Sequence, residues 1–274
     1  MSIALNEDHK FLASTAADFL AKHGARSASR ALLEAPTEEL PTFWRDLAEL
    51  GWLGLHIAEA NGGSGYGLEE LVVVVEQLGR AGAPGPFVPT VIASATIASR
   101  ADAATQAALL PGLADGTRTG AAALEGSVQI RDGRAYGSTG VVLGGSLADV
   151  LLVGNGDDVA IIDTHADGVS VDTPPNLDPT RRSSRITLDG VPAIVMTGAR
   201  QTLTDIARVI LSAEAVGVAR ECTEQAAAYA KVRLQFGRPI AMYQAEAPLR
   251  QHGRRHRTGY RHGVGRGTGV EGRQ

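Results

Sequence analysis

The sequence lacks most of what would mark a secreted, membrane-spanning or zinc-held chain. One cysteine in 274 residues excludes a disulfide framework and any multi-cysteine zinc site. It fits a reducing compartment, and a cytoplasmic location is expected. No apolar run approaches the roughly 18–20 residues that cross a membrane. The opening MSIALNEDHK has early acids and no hydrophobic stretch, so no signal peptide is expected. No internal repeat is visible. What is present is ordinary for a globular chain, with 44% hydrophobic and 20% charged residues, which excludes wholesale disorder. At about 100–200 residues per domain, the length allows one large domain or two to three small ones.

The net charge of −4 averages two unlike pieces. Residues 246–274 hold seven Arg, three His, seven Gly and two acids, a net +5, so the preceding 245 residues carry −9.

Hydrophobic spacing divides the chain further. Leu5, Phe11, Leu12, Ala16, Phe19 and Leu20 recur at helical steps. Further helices are expected over 37–50, 68–78, 91–99 and 101–110, the last stopped by Pro111-Gly112. The period then changes. Short apolar runs at 121–124, 127–130, 141–143, 150–153, 159–162, 169–171, 186–188 and 193–196 predict a small antiparallel β-barrel or sandwich. Asp132-Gly133 is a hairpin signal. After Thr202 a long helix is expected, with Leu203, Ile206, Ile210, Ala213, Gly217, Cys222, Ala226 and Tyr229 on one face. Its Ala and Gly content lets neighbouring helices approach closely. The expected class is α+β: an N-terminal helical domain (1–117), a middle β domain (118–200), the start of a C-terminal helical bundle (201–245) and an aberrant, disordered tail (246–274).

Several segments, in this order, resemble the acyl-CoA dehydrogenase family of flavoproteins. LGWLGL at 50–55 and AEANGGSG at 58–65 are similar to the family's glycine-rich junction between N-terminal helices, followed by EQLGR at 76–80. Asp132-Gly133, VVL at 141–143, Ala148-Asp149, LDPTR at 177–181 and LDGV at 188–191 resemble its middle β domain. YAKVRLQFGRPI at 229–240 with Tyr243-Gln244 looks like its most specific signature. The resemblance covers about residues 5–245.

It implies FAD between the β domain and the C-terminal helices. It implies oxidation of an acyl-CoA to the trans-2-enoyl-CoA, with a glutamate removing the α-proton and the flavin accepting the β-hydrogen as hydride. An electron-transfer flavoprotein and a homo- or hetero-oligomer are the implied partners. Residue by residue, Arg233 matches the arginine that reaches the FAD diphosphate of a neighbouring subunit, where a planar guanidinium pairs well with phosphate oxygens. Gln235, Phe236 and Gln244 match neighbours lining that dinucleotide. Leu124, Val142 and Leu143 fall in the two segments that wrap the flavin ring.

Four departures bear on activity. The loop at 122–127 has no counterpart of the family's flavin-bonding threonine. Leu143 and Gly144 replace a polar pair. Ala207 stands at the base position of one branch, and alanine takes no proton. The downstream region that carries the base in the other branch has no match. The Gly-rich 246–274 segment has no apolar stripe, and a change of reading frame is the expected cause. No catalytic residue is therefore assigned, and the chain alone is expected to be inactive. Alternatively it is a silent partner subunit of a hetero-oligomeric enzyme. Nucleic-acid binding through the basic tail is the distant alternative.

Other features read structurally. Glycines 62–67 form a tight connection, since no lysine follows and no strand precedes. Glu125 is a loop acid, and Asp178 and Arg181 a turn or ion pair. Cys222 is expected to be buried. His252, His256 and His262 reflect composition, and no metal is expected.

Overall fold

The computed structural model describes residues 6–243. Leu5, Gln244, the three tail histidines and the 246–274 segment lie outside the described residues.

The N-terminal region holds α1 (Glu7–Lys22), α2 (Ala25–Ala31), α3 (Trp44–Glu49), α4 (Leu68–Ala81), α5 (Phe87–Arg100) and α6 (Ala103–Ala114). Asn6 caps α1 by accepting from the His9 amide at 2.7 Å. Ala16 and Leu20 face the core, whereas Phe11 is exposed, so the stripe is narrower than its spacing suggests. The helix expected over 37–50 shrinks to α3. Pro41 disfavours helical backbone at Leu40, and its carbonyl instead receives the Trp44 amide at 2.8 Å. Glycine 79 does not stop α4, which runs to a left-handed Gly82 cap. Pro89 lies in the first turn of α5, where its missing N–H costs nothing. Pro111 also fails as a stop, and α6 continues one turn past it.

Strands follow: β1 (Gly120–Ala123), β2 (Gln129–Arg131), β3 (Arg134–Ser138), β4 (Val142–Leu143), β5 (Val150–Asn155), β6 (Asp158–Asp163), β7 (Val169–Asp172), β8 (Ser183–Pro192) and β9 (Ile194–Met196). One sheet runs β1-β5-β6-β9, the other β2-β3-β8-β4 with β7 on β8. The expected antiparallel sandwich stands, except that β1 and β5 are parallel. Strand β3 escaped the sequence reading because its RAYGS sequence has no apolar run. Asp132 and Gly133 both have positive φ at the β2–β3 tip, as a two-residue primed turn requires.

The long helix α7 (Arg200–Val232) completes the order, followed by the short hairpin β10 (Leu234–Gln235) and β11 (Arg238–Pro239). No described helix is long and apolar enough to cross a membrane. Leu203, Ile206, Ile210, Ala213 and Gly217 are buried as expected, but Cys222, Ala226 and Tyr229 are exposed. The five-residue step from Gly217 to Cys222 leaves the buried face. That face continues through Glu221, which pairs with Arg26 and Arg80. Two cores result: one joins the N-terminal helices, α7 and one face of the β1 sheet, and the other fills the space between the sheets.

Candidate functional site

A cavity of about 260 Å³ opens where the β domain meets α5 and α7. Pro89 and Ile92 come from α5, and Ala122, Leu124 and Glu125 from the end of β1. Val141 and Leu143 come from the β4 segment, and Ala207 and Leu211 from α7. The two β segments are tied together. Gly140 N donates to Glu125 O at 2.7 Å, and Gly126 bridges to Thr139. The β4 end is held in turn by Gly144 N donating to Arg182 O at 2.8 Å. Arg182 reaches across to the α2–α3 loop, donating to the carbonyls of Ala35 and Pro36, while its own amide donates to Glu38 Oε2 at 3.1 Å. Burial pushes the Glu38 carboxyl above its usual value, with the Arg182 amide and the charges of Arg181 and Arg182 opposing.

The structure separates the sequence-assigned residues into three groups. Leu124 and Leu143 line the cavity, together with Ala207, which the resemblance aligns with the base position of one branch of the family. Val142 does not: it is fully buried between the sheets, because successive strand side chains alternate faces. Arg233, Gln235 and Phe236 lie at the opposite end of α7, about 39 Å from Ala207 at 1.5 Å per residue. All three are exposed. There Gln235 pairs with Arg238 across the hairpin, and the Arg238 guanidinium stacks 4.1 Å from the Tyr243 ring centre. Ile92 and Leu211 were not assigned to the site from sequence. Leu211 follows Ala207 by one helical turn, a spacing that marks a shared face.

The residues fit the ring end of the FAD that the resemblance implies. Eight of the nine lining side chains are apolar, and the volume is near the roughly 300 Å³ lower bound of small-molecule pockets. The backbone N–H groups of Glu125 and Val141 donate to no acceptor among the described residues. Two such donors suit the polar edge of a flavin. No Arg, Lys or His lines the cavity, so its lining offers no side-chain cation to a diphosphate.

Comparison with known proteins bears on the family and the fold. Residues 6–117 match the family model described as acyl-CoA dehydrogenase, N-terminal domain, and residues 197–247 match acyl-CoA dehydrogenase, C-terminal domain. The chain is 35% identical to acyl-CoA dehydrogenase FadE34 of Mycobacterium tuberculosis over 73% of its own length, but spans only 27% of that protein. It is 31% identical to acyl-CoA dehydrogenase IpdE2 of Mycolicibacterium smegmatis, covering 88% of this chain and 70% of the relative. Among solved structures, the Tcur3481–Tcur3483 steroid ACAD superimposes with a TM-score of 0.86 at 31% identity, over 94% of this chain and 77% of the other. Fold, ordered motifs and relatives converge: the chain belongs to the acyl-CoA dehydrogenase family, whose cofactor is FAD.

Proposed function

We propose that this chain is one subunit of an acyl-CoA dehydrogenase that introduces a trans-2 double bond into an acyl-CoA thioester, and that it supplies a flavin-ring wall but no base. The observation that carries this reading is Ala207 in the cavity wall beside Leu124 and Leu143. An α-proton beside a thioester is a weak acid. Its removal needs a desolvated carboxylate and hydrogen bonds to the carbonyl oxygen. The only lining acid is Glu125, which is exposed on the loop held by Gly140. The base therefore comes from outside the described residues. The apolar wall of Ile92, Val141, Leu143 and Leu211 offers no polar partner to a carboxylate that enters and so favours a raised pKa in it. Bound FAD supplies the acceptor for the β-hydrogen, and an electron-transfer flavoprotein is the acceptor we assign for its electrons. Leu124 and Leu143 are assigned to the ring, and Arg233, Gln235 and Phe236 to the FAD of a neighbouring subunit. Domains at 1–117, 118–200 and 201–245 go with this assignment.

The joint name of the Tcur3481–Tcur3483 steroid ACAD supports the hetero-oligomeric form. It also makes steroid acyl-CoA thioesters, beside straight-chain ones, the substrates to test. The experiment co-expresses the chain with a family paralogue that carries a glutamate base, then records the visible spectrum under anaerobic addition of each acyl-CoA. Flavin bleaching in the co-complex, and none with this chain alone, is the expected result. Bleaching by the chain alone would overturn the proposal.

A further inference from the structure

Two residues near the cavity are poor choices for their own elements. Arg200 is the first residue of α7, whose first turn has no acid and whose cap, Ala199, makes no side-chain hydrogen bond. A cation there opposes the helix dipole by about 0.3–1 kcal/mol. Gly154 lies inside β5, where glycine adds no packing and loses chain entropy. One contact accounts for both. The Arg200 guanidinium lies over Gly154, in the space that a Cβ would fill. From there it donates to the carbonyl oxygen of Leu124, which lines the cavity. Local rules broken at two positions that meet at one point mark a functional constraint.

We propose that Arg200 is a positioning residue for the flavin loop, with Gly154 as the gap that admits it. The proposal rests on the flavin reading given above. The loop is pinned at both ends: Arg200 takes the Leu124 carbonyl, and Gly140 donates to that of Glu125 at 2.7 Å. Between them lies the Glu125 amide, one of the two free donors at the cavity. Family members place a threonine hydroxyl in this loop to meet the flavin, and this chain has none. A loop that offers only backbone donors depends more on being held still, since each misplaced donor loses its hydrogen bond steeply with distance and angle. A planar fork carried on an adjacent rigid helix does this better than a flexible ammonium.

The test compares the full chain with Arg200→Met, Arg200→Lys and Gly154→Ala. Gly154 has an ordinary backbone φ, and the three atoms nearest its added Cβ all belong to the flexible Arg200 side chain. Gly154→Ala therefore displaces the guanidinium while keeping both the charge and the fold. FAD affinity is read by quenching of flavin fluorescence, and hydrogen exchange in the cofactor-free protein follows the amides of Ser127 and Gly140, whose hydrogen bonds to Ser138 O and Glu125 O hold the loop. Arg200→Met and Gly154→Ala should each weaken FAD binding about tenfold, the size of one lost hydrogen bond from a charged donor. They should also shift the flavin band shape and speed exchange at Ser127 and Gly140 while β2 and β3 keep wild-type rates. Arg200→Lys should fall between. Wild-type affinity, band shape and exchange in both disruptive variants would overturn the proposal. A wild-type chain that binds no FAD, with the Ser127 and Gly140 amides still released by the substitutions, would instead overturn the flavin reading and reduce Arg200 to a structural anchor.

Discussion

His56 sits beside α5 with its Nε2 2.9 Å from the Ser94 hydroxyl, while Nδ1 is buried with no partner among the described residues. Burial lowers its pKa from 6.5 to about 4. The unfolded chain therefore takes up the proton first as pH falls. Stability is level above about pH 6.5, declines toward pH 4 and flattens below it. The full decline from this group is about 3 kcal/mol. His56→Gln keeps a partner for Ser94 and removes the titration. Urea midpoints measured at pH 7.5 and 5 should lie closer together in that variant by about 2 kcal/mol in stability, and an unchanged gap would refute the assignment. Nothing in the sequence around His56 announces this burial, because Ser94 lies 38 residues further along the chain, in α5. The Cys222 reading failed for a related reason: helical spacing shows which side chains share a face, but not where the neighbouring helix ends. Helix α4 ends at Ala81, so it leaves the far half of α7 uncovered.

Helices α4 and α7 cross at a reciprocal glycine contact. A Cβ at Gly79 would overlap the Glu214 carbonyl, and one at Gly217 would overlap that of Glu76. Two opposed effects decide Gly217→Ala. Helix propensity favours alanine by about 1 kcal/mol, whereas forcing two backbones apart costs about 1–3 kcal/mol. A carbonyl oxygen in a helix cannot rotate away, so the steric cost should win. The crossing also carries Arg80, Glu76, Arg220 and Glu221 in ion pairs that would stretch with it. The expected result is a lower thermal midpoint for Gly217→Ala, and a midpoint at or above wild type would show that the helices can separate freely. The close approach itself was legible in the Ala and Gly content of α7. The role of Gly79 was not: glycine after an apolar stripe reads as a helix end, and only the partner helix shows it to be a contact. Pro111 misled in the same way, since a single proline removes one hydrogen bond from α6 without ending it.

At the scale of the whole molecule, the C-terminal half of α7 and its hairpin expose Val218, Tyr229, Val232, Leu234 and Phe236, the last at 94%. A row of large apolar side chains on one described surface marks an assembly face. It lies on the same chain end as Arg233, which we assign to a neighbouring subunit's FAD. Light scattering should give a mass above that of the monomer, alone or with the paralogue, and Tyr229→Ser with Phe236→Ser should return it to the monomer value. A monomeric wild type in both settings would count against the shared site. The switch from helical to strand spacing near Thr119, and back after Thr202, was determined by the sequence, as were the Asp132-Gly133 turn and the ordered family segments. Each of these depends on neighbours close along the chain. Only the tertiary structure decided that Ala207 meets Leu124 and Leu143 at one cavity, that Val142 turns away from it, and that Arg200 fills the gap at Gly154. Those contacts join residues from different layers of the fold, and packing between layers leaves no spacing in the sequence from which they can be read.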